Sequence, residues 1–256
     1  MRNTYRDQAA KYYDLWADFP DIDFYRRQVS NPETEVLELG CGTGRVLLPM
    51  VEHGAFIQGV DHSDAMLELC QDKLREHDVP STRASVMQGD ITKLDLGRTF
   101  DLITAPFRVM QNLETDAQID GLLDTIRRHL APDGRAILNT FRPAYDPETL
   151  FDLWSQRDGT QYDHKQTQLG LIRMTDDCRQ FQADPVIVFP TLIYERMDGD
   201  RVVDRAELPI SMRVWYPDEL TSRIADAGFR ITERWGGYDD EPWGQGNELV
   251  VAFTHG

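Results

Sequence analysis

Three glycines at alternating positions, Gly40, Gly42 and Gly44, follow directly on the apolar run Val36-Leu37-Glu38-Leu39. Glycine takes up positive φ readily and has no Cβ, so a ligand can lie directly against such a turn. The helix that follows turns its free N–H groups into the same space. The chemistry implied is the holding of a nucleotide-like cofactor. A dinucleotide fingerprint would require glycine at position 45, where the chain has Arg45, so the spacing points away from a pyrophosphate ligand. A second chemical residue supports the loop. Asp61 closes the apolar run Phe56–Val60 about 20 residues beyond the first glycine, where a carboxylate is placed to accept hydrogen bonds from both hydroxyls of a ribose.

These residues need strands and helices to hold them, and the chain provides both in alternation. Val36–Leu39, Phe56–Asp61, Ser85–Gln88, Phe100–Ala105 and Arg135–Phe141 read as five buried strands. Between them, Met66, Leu67, Leu69, Cys70 and Leu74 fit one helical face behind an N-cap at Ser63 or Asp64. Thr115-Asp116-Ala117-Gln118 is a capping-box pattern ahead of Ile119, Leu122, Leu123, Ile126 and Leu130. Ala131-Pro132-Asp133-Gly134 reads as a turn. Pro217 opens a helix that stops at Gly228, and Phe229–Glu233 and Glu248–Phe253 read as two last strands.

The pattern Glu38-Leu39-Gly40-Cys41-Gly42-Thr43-Gly44 resembles the first motif of class I S-adenosylmethionine-dependent methyltransferases, of the small-molecule type that includes glycine and amino-sugar N-methyltransferases. The resemblance spans nearly the whole chain, with its most specific motifs in residues 36–113. It implies an α/β fold: a Rossmann-like, seven-stranded, mostly parallel sheet with helices on both faces and an antiparallel last strand. It also implies S-adenosylmethionine as cofactor and S-adenosylhomocysteine as product. Glu38, Gly40, Cys41, Gly42 and Gly44 would then surround the methionine part, Asp61 the ribose, and His62 with Met66 the adenosine. Asp90 and Ile91, after the third strand, would meet the adenine amino group and ring face. Ala105 and Phe107 would complete the cofactor site. The run Ala9 to Trp16 looks like the segment that folds over the cofactor in such enzymes, with Tyr5 ahead of it and Tyr13 near the sulfonium. An amphipathic helix burying Tyr12, Leu15, Trp16 and Phe19 against the core is the competing reading. Asp21, Asp23 and Tyr25 continue the familiar pattern.

Ala105-Pro106-Phe107-Arg108 separates substrate classes. Relatives that methylate nucleobase or amide nitrogens carry Asn/Asp-Pro-Pro-aromatic there, whose polar side chain accepts from a planar NH₂ group. Here that acceptor is missing, which disfavours base methylation. Many small-molecule relatives end this stretch in His-Leu. The present Asn112-Leu113 cannot take up a proton, so no histidine base is placed there. Tyr12, Arg108, Gln111 and Asn112 are the candidates for orienting an acceptor. No catalytic base is assigned, which tilts the reading towards an amine acceptor over a hydroxyl.

Residues 144–216 read as an insertion with strands at Leu169–Met174, Val186–Tyr194 and Val202–Val214, and turns at Asp176-Asp177 and Asp198-Gly199-Asp200. The expected organisation is lid helices over residues 1–30, a cofactor-binding core over 31–143 and 217–256, and a β-rich insertion that covers the acceptor site or mediates a homodimer. A chain of 256 residues with 41% hydrophobic content suits one such domain. The formal net charge of −17 repels phosphate backbones and anionic lipids, so neither nucleic acid nor membrane is an expected partner. The start Met1-Arg2-Asn3-Thr4 is not a signal peptide, and no apolar run reaches membrane-spanning length. Cys41, Cys70 and Cys178 are widely spaced, which suits a reduced cytosol and no metal site. The expected activity is methyl transfer to a small molecule. A protein methyltransferase and an inactive cofactor-binding subunit are the alternatives, and a nicotinamide oxidoreductase fails on the glycine spacing.

Overall fold

The computed structural model describes residues 9–16, 19–155, 162–177 and 180–256. Tyr5 and Cys178, singled out in the sequence, lie outside the described residues. The chain divides into two compact units: residues 19–144 with 215–256, and residues 1–18 with 145–214.

The first unit is built on strands β1 (Glu35–Leu39), β2 (Phe56–Asp61), β3 (Ala84–Gln88), β4 (Phe100–Ala105) and β5 (Leu130–Phe141), joined by β13 (Phe229–Trp235) and β14 (Glu248–His255). Their order is β13-β14-β5-β4-β1-β2-β3. The pairs β1–β2, β2–β3, β1–β4 and β4–β5 are parallel, whereas β14 runs antiparallel to both β5 and β13. The expected seven-stranded, mostly parallel sheet with an antiparallel last strand is therefore present. Val36, Leu37, Leu39, Leu102, Ile103, Ile137 and Leu138 are buried irrespective of parity, because helices cover both faces of the parallel strands. On one face, Leu37, Leu39, Ile103, Leu138 and Val251 pack with α4 (Asp116–His129) and α6 (Pro217–Asp226). On the other, Val36, Ile57, Leu102, Ile137 and Val250 form a cluster with α1 (Ile22–Gln28), α2 (Leu47–Glu52) and α3 (Asp64–Glu76). Chain order reverses between β1 and β4, so the carboxyl ends of these two strands open a crevice where an α/β sheet places its ligand.

Local signals fix the helix starts. The Thr115 hydroxyl accepts from the Gln118 amide at 3.3 Å, and the Ser63 hydroxyl accepts from the Met66 amide at 3.4 Å. One local reading differs. Strand β5 begins at Leu130, five residues earlier than expected, and the turn-like Ala131-Pro132-Asp133-Gly134 lies inside it. Phe100 pairs with Leu130 while Leu102 pairs with Arg135, so the four residues form an irregularity within the ladder.

The second unit contains seven described strands in two antiparallel sheets, where the sequence suggested three strands in one. The larger sheet has β6 (Tyr162–Thr167), β7 (Gly170–Asp177), β10 (Thr191–Asp198) and β11 (Arg201–Pro209), in the order β11-β10-β7-β6. The smaller has β8 (Phe181–Ala183), β9 (Val186–Val188) and β12 (Met212–Arg213), in the order β12-β9-β8. The expected strand Val186–Tyr194 breaks at Phe189-Pro190, since proline cannot donate to a ladder. Asp176 and Asp177 pair with Leu192 and Thr191 rather than turning. The turn at Asp198-Gly199-Asp200 is present, with Gly199 at φ +59°. Strand β6 is polar throughout and sits at a sheet edge, which is why its sequence gives no apolar signal.

Residues 9–13 are helical and continue into a 3₁₀ turn, Asp14–Trp16. Ala9 and Tyr12 are buried in a cluster with Ile172, Tyr194, Ala206 and Leu208 of the same unit, with Leu15 and Trp16 packed at its margin. Helix α5 (Pro147–Ser155) belongs to this unit as well. Among the described residues, no helix is long and apolar enough to cross a membrane.

Candidate functional site

Strand β1 ends in the glycine loop, and each glycine there answers a different constraint. A Cβ built on Gly40 would fall 2.5 Å from Val109 Cγ2, and one on Gly44 would fall 2.5 Å from Cys70 Sγ. Those two positions are small because the protein packs against them. Gly42 differs: its φ is +52° and nothing lies within 4 Å of where a Cβ would stand. That open face is where a ligand can approach the backbone. The Gly42 N–H donates to Asp61 Oδ2 at 2.9 Å, so the loop is tied to the end of β2.

Asp61 is buried and also accepts from the Ser63 N–H at 2.9 Å through Oδ1, while His62 Nδ1 stands 3.4 Å from the same oxygen. Burial alone would raise its pKa. The His62 ring and the backbone N–H groups of Ser63 and Gly42 outweigh that effect and hold the carboxyl below the ordinary aspartate range. Oδ2, which takes only the Gly42 N–H, keeps a further lone pair, so the group is an ionised acceptor open to a ligand hydroxyl. His62 itself is half exposed, and Met66 is buried in the first turn of α3. One strand further on, the Asp90 Oδ1 accepts from the Thr92 hydroxyl at 2.6 Å and its N–H at 2.9 Å, and these bonds lower the Asp90 pKa. Ile91 is partly buried beside it, against the core. Glycine loop, Asp61 and Asp90 thus stand in sequence at the carboxyl ends of β1, β2 and β3, the arrangement an extended adenosine ligand requires.

Alanine at position 42 tests this geometry. The left-handed φ is expected to cost the empty protein about 1–2 kcal/mol, which a thermal melt would show. Affinity for S-adenosylhomocysteine should fall roughly a hundredfold in a calorimetric titration, because the methyl occupies the open face. Undiminished affinity would mean that the ligand does not approach Gly42.

Across β1 the site changes character. Glu38 is buried in mid-sheet and its Oε2 has no hydrogen-bond partner. Burial pushes its carboxyl well above the usual range; Asp21 and Asp61 add to this and Arg45 opposes it. Cys41 is buried too, and a hydrogen bond with Cys70, followed by burial, raises its thiol pKa, so this sulfur is a packing group rather than a nucleophile. Arg45 donates to both carboxylate oxygens of fully buried Asp21, at 2.5 and 2.7 Å, and its guanidinium lies 4.7 Å from the Phe107 ring centre.

Ala105 is buried at the end of β4, and the chain then passes through two left-handed residues, Phe107 at φ +56° and Arg108 at φ +66°. Such residues cost about 1–2 kcal/mol each, so the surroundings must hold them. The Arg108 N–H donates to Asn139 Oδ1 at 3.1 Å, and its guanidinium pairs with buried Glu248. Asn139 Nδ2 donates to that same carboxylate at 2.8 Å. Phe107 meets Phe19 edge-on at 5.2 Å. Arg108 is therefore no solvated helix start but one arm of a buried network. Gln111 is fully buried and accepts from the Phe141 N–H at 2.8 Å, while Asn112 donates to the Arg108 carbonyl at 3.3 Å. These three candidates for orienting an acceptor all make internal bonds that fix the turn itself.

Tyr12 and Tyr13 belong to the other unit. The Tyr12 hydroxyl donates to Asp204, its ring stacks on Tyr194 at 5.7 Å, and burial followed by the Asp204 bond raises its pKa. Tyr13 is half-buried beside the same cluster. Sequence reasoning passed over Asn139, Glu248 and Tyr238, which join the site through the sheet. Glu248 carried a readable signal: a carboxylate heading an otherwise apolar strand.

Residues 36–134 match a family model described as a methyltransferase domain. Malonyl-acyl-carrier-protein O-methyltransferase of Priestia megaterium is 31% identical over 182 residues, covering 67% of this chain and 59% of that protein. A dTDP-3-amino-3,6-dideoxy-alpha-D-glucopyranose N,N-dimethyltransferase of Streptomyces fradiae is 25% identical over 155 residues, covering 57% of each. The chain spans about half the length of the first curated relatives it matches, between 42% and 59%. Among solved structures, the CcbJ methyltransferase of Streptomyces caelestis superposes with a TM-score of 0.78 at 22% identity, over 100% of this chain and 99% of that one. At that identity the likeness establishes the fold.

Proposed function

Residues 36–134 are a methyltransferase domain of the class I, S-adenosylmethionine-dependent family, and from that premise we propose that the whole chain moves a methyl group from S-adenosylmethionine to a nitrogen of a small molecule. The observation that carries the reading is Gly42: left-handed, open on its Cβ side, and tied through its N–H to the ionised Asp61. The bound cofactor supplies a methyl on a sulfonium, ready for in-line displacement. The protein's part is placement. Asp61 accepts from the ribose, Asp90 and Ile91 hold the adenine, and the glycine loop admits the methionine part. With the adenosine fixed over β2 and β3, the methyl is directed towards β4, where Ala105 and Phe107 stand. Holding donor and acceptor in line contributes much of the rate in such a reaction.

The nitrogen preference rests on one support: a relative is named for dimethylating an amino sugar. Oxygen is the second reading, favoured by the O-methyltransferase relative. The test begins with calorimetric titration of S-adenosylhomocysteine, using NADH as control; micromolar binding of the first alone is expected. Methyl-labelled S-adenosylmethionine is then offered with dTDP-3-amino-3,6-dideoxyglucose and with its 3-hydroxy counterpart. Label is expected in the amine at least about tenfold faster, the discrimination one lost polar contact gives. Equal or preferred labelling of the hydroxyl would reverse the acceptor assignment. Silence towards S-adenosylhomocysteine in a folded protein would end the methyltransferase reading.

A further inference from the structure

Residues 89–99 join β3 to β4 with no helix or strand of their own, yet they carry Asp90 and Ile91. Asp90 is exposed, so the direction of its carboxylate depends on the loop that bears it. The Thr92 hydroxyl and N–H both donate to its Oδ1, and Lys93 Nζ stands 3.4 Å from Oδ2. Where Thr92 sits therefore decides where Asp90 points.

Thr92 sits against α4. A Cβ built on Gly121, in the middle of that helix, would fall 2.5 Å from the Thr92 carbonyl oxygen and 3.0 Å from its Cβ. Glycine weakens a helix interior relative to alanine, so its use here is the close approach of the loop. Seven and eight residues further on, along the same helix face, the contacts become polar. Arg128 donates to the Leu94 carbonyl, and its Nε lies 3.9 Å from Asp95 Oδ2. His129 is fully buried and accepts from the Leu96 N–H through Nε2 at 2.8 Å. Its Nδ1 lies 2.7 Å from the Thr125 carbonyl, which can only accept; the ring proton is therefore on Nδ1 and Nε2 keeps its lone pair. Between these fixings, Ile91, Leu94 and Leu96 share one apolar cluster with Ile119, Leu122, Leu123 and Ile126.

Helix α4 carries none of the candidate cofactor residues, yet it grips the loop that carries two of them. We propose that Gly121 and His129 are positioning residues for the adenine: they hold the β3–β4 loop where Asp90 accepts from the exocyclic amino group. The inference rests on the methyltransferase reading, which sets that amino group at Asp90.

The test compares S-adenosylhomocysteine with its 6-deamino analogue, which has hydrogen in place of the amino group. Wild type is expected to bind the first roughly tenfold more tightly in calorimetric titrations, the effect of one polar contact. Gly121→Ala installs the better helix former but pushes Thr92 away, and the ratio should fall towards one. His129→Phe removes the acceptor of the Leu96 N–H and should act likewise. His129→Gln offers a side-chain oxygen to that N–H and should restore the ratio. If α4 merely supports the fold, the substitutions lower both affinities together, or only the melting temperature, and the tenfold ratio survives; that result overturns the inference. Gly121→Ala removes no polar group, and it decides the matter alone if His129→Phe does not fold. A glutamine variant no better than the phenylalanine one overturns the role of His129. Wild type that binds both compounds equally overturns the inference and leaves cofactor binding standing, whereas wild type that binds neither overturns the functional reading as well.

Discussion

Asp61→Ala is expected to weaken S-adenosylhomocysteine binding by two to three orders of magnitude. Two hydrogen bonds from ribose hydroxyls to one ionised carboxylate amount to about 3–4 kcal/mol, at roughly 1.5–2 kcal/mol each. The same oxygens also hold the Gly42 and Ser63 amides, so alanine frees the loop and the start of α3 together. Asp61→Asn separates the two contributions: it keeps one acceptor oxygen and loses the charge, and should sit between wild type and alanine. The carboxyl is held below the ordinary aspartate range by its partners. Wild-type affinity should therefore stay flat from neutrality down to about pH 5 and fall only once the folded-state pKa is approached. Calorimetry over that range checks both statements. An alanine variant within threefold of wild type would show that the ribose is held elsewhere.

Arg45→Met is expected to be the most destabilising of the single substitutions considered. It leaves Asp21 fully buried without its two guanidinium bonds, and stranding one member of a buried pair costs about 3–5 kcal/mol. In a chain of this size that is a fall of about 10 °C in melting temperature. Replacing both partners, as Arg45→Met with Asp21→Leu, should recover most of the loss, because an apolar pair need not be solvated. Urea unfolding of the two single variants and the double variant measures the coupling. A single Arg45→Met variant within 1 kcal/mol of wild type, the size of an exposed pair, would show that the bridge contributes little. The result bears on the site as well, since Arg45 anchors α1 to the glycine loop and lies over Phe107.

The glycine loop, Asp61 and Asp90 were legible in the sequence because each belongs to a short local unit, a strand end and the turn that follows it. Strand-to-helix order, the capping boxes at Thr115 and the stop at Gly228 were legible for the same reason: their physics spans only a few residues. The role of Arg45 was only half visible. The sequence shows that it is not the glycine of a dinucleotide loop, whereas its partner Asp21 lies on a separate helix and is brought near by packing alone.

The insertion was misread where its strands are polar or broken. Strand β6 lacks apolar alternation because it is an edge, and a proline at 190 divides what reads as one long strand. The surroundings of the acceptor-side candidates were hidden for a related reason. Arg108, Gln111 and Asn112 look like a polar helix start, and only the fold reveals that Asn139, Glu248 and the Phe141 amide take up Arg108 and Gln111.

The sequence by itself determined the glycine loop and the strand ends beside it, since glycine φ and strand periodicity are local properties written in neighbouring residues. The tertiary structure decided which polar groups end up buried together: Tyr25 and Tyr238 are about 200 residues apart in the chain, and only the packing of α1 against the β13–β14 loop brings their rings to 6.3 Å. Burial and pairing are properties of the packed whole, and no window of sequence contains them.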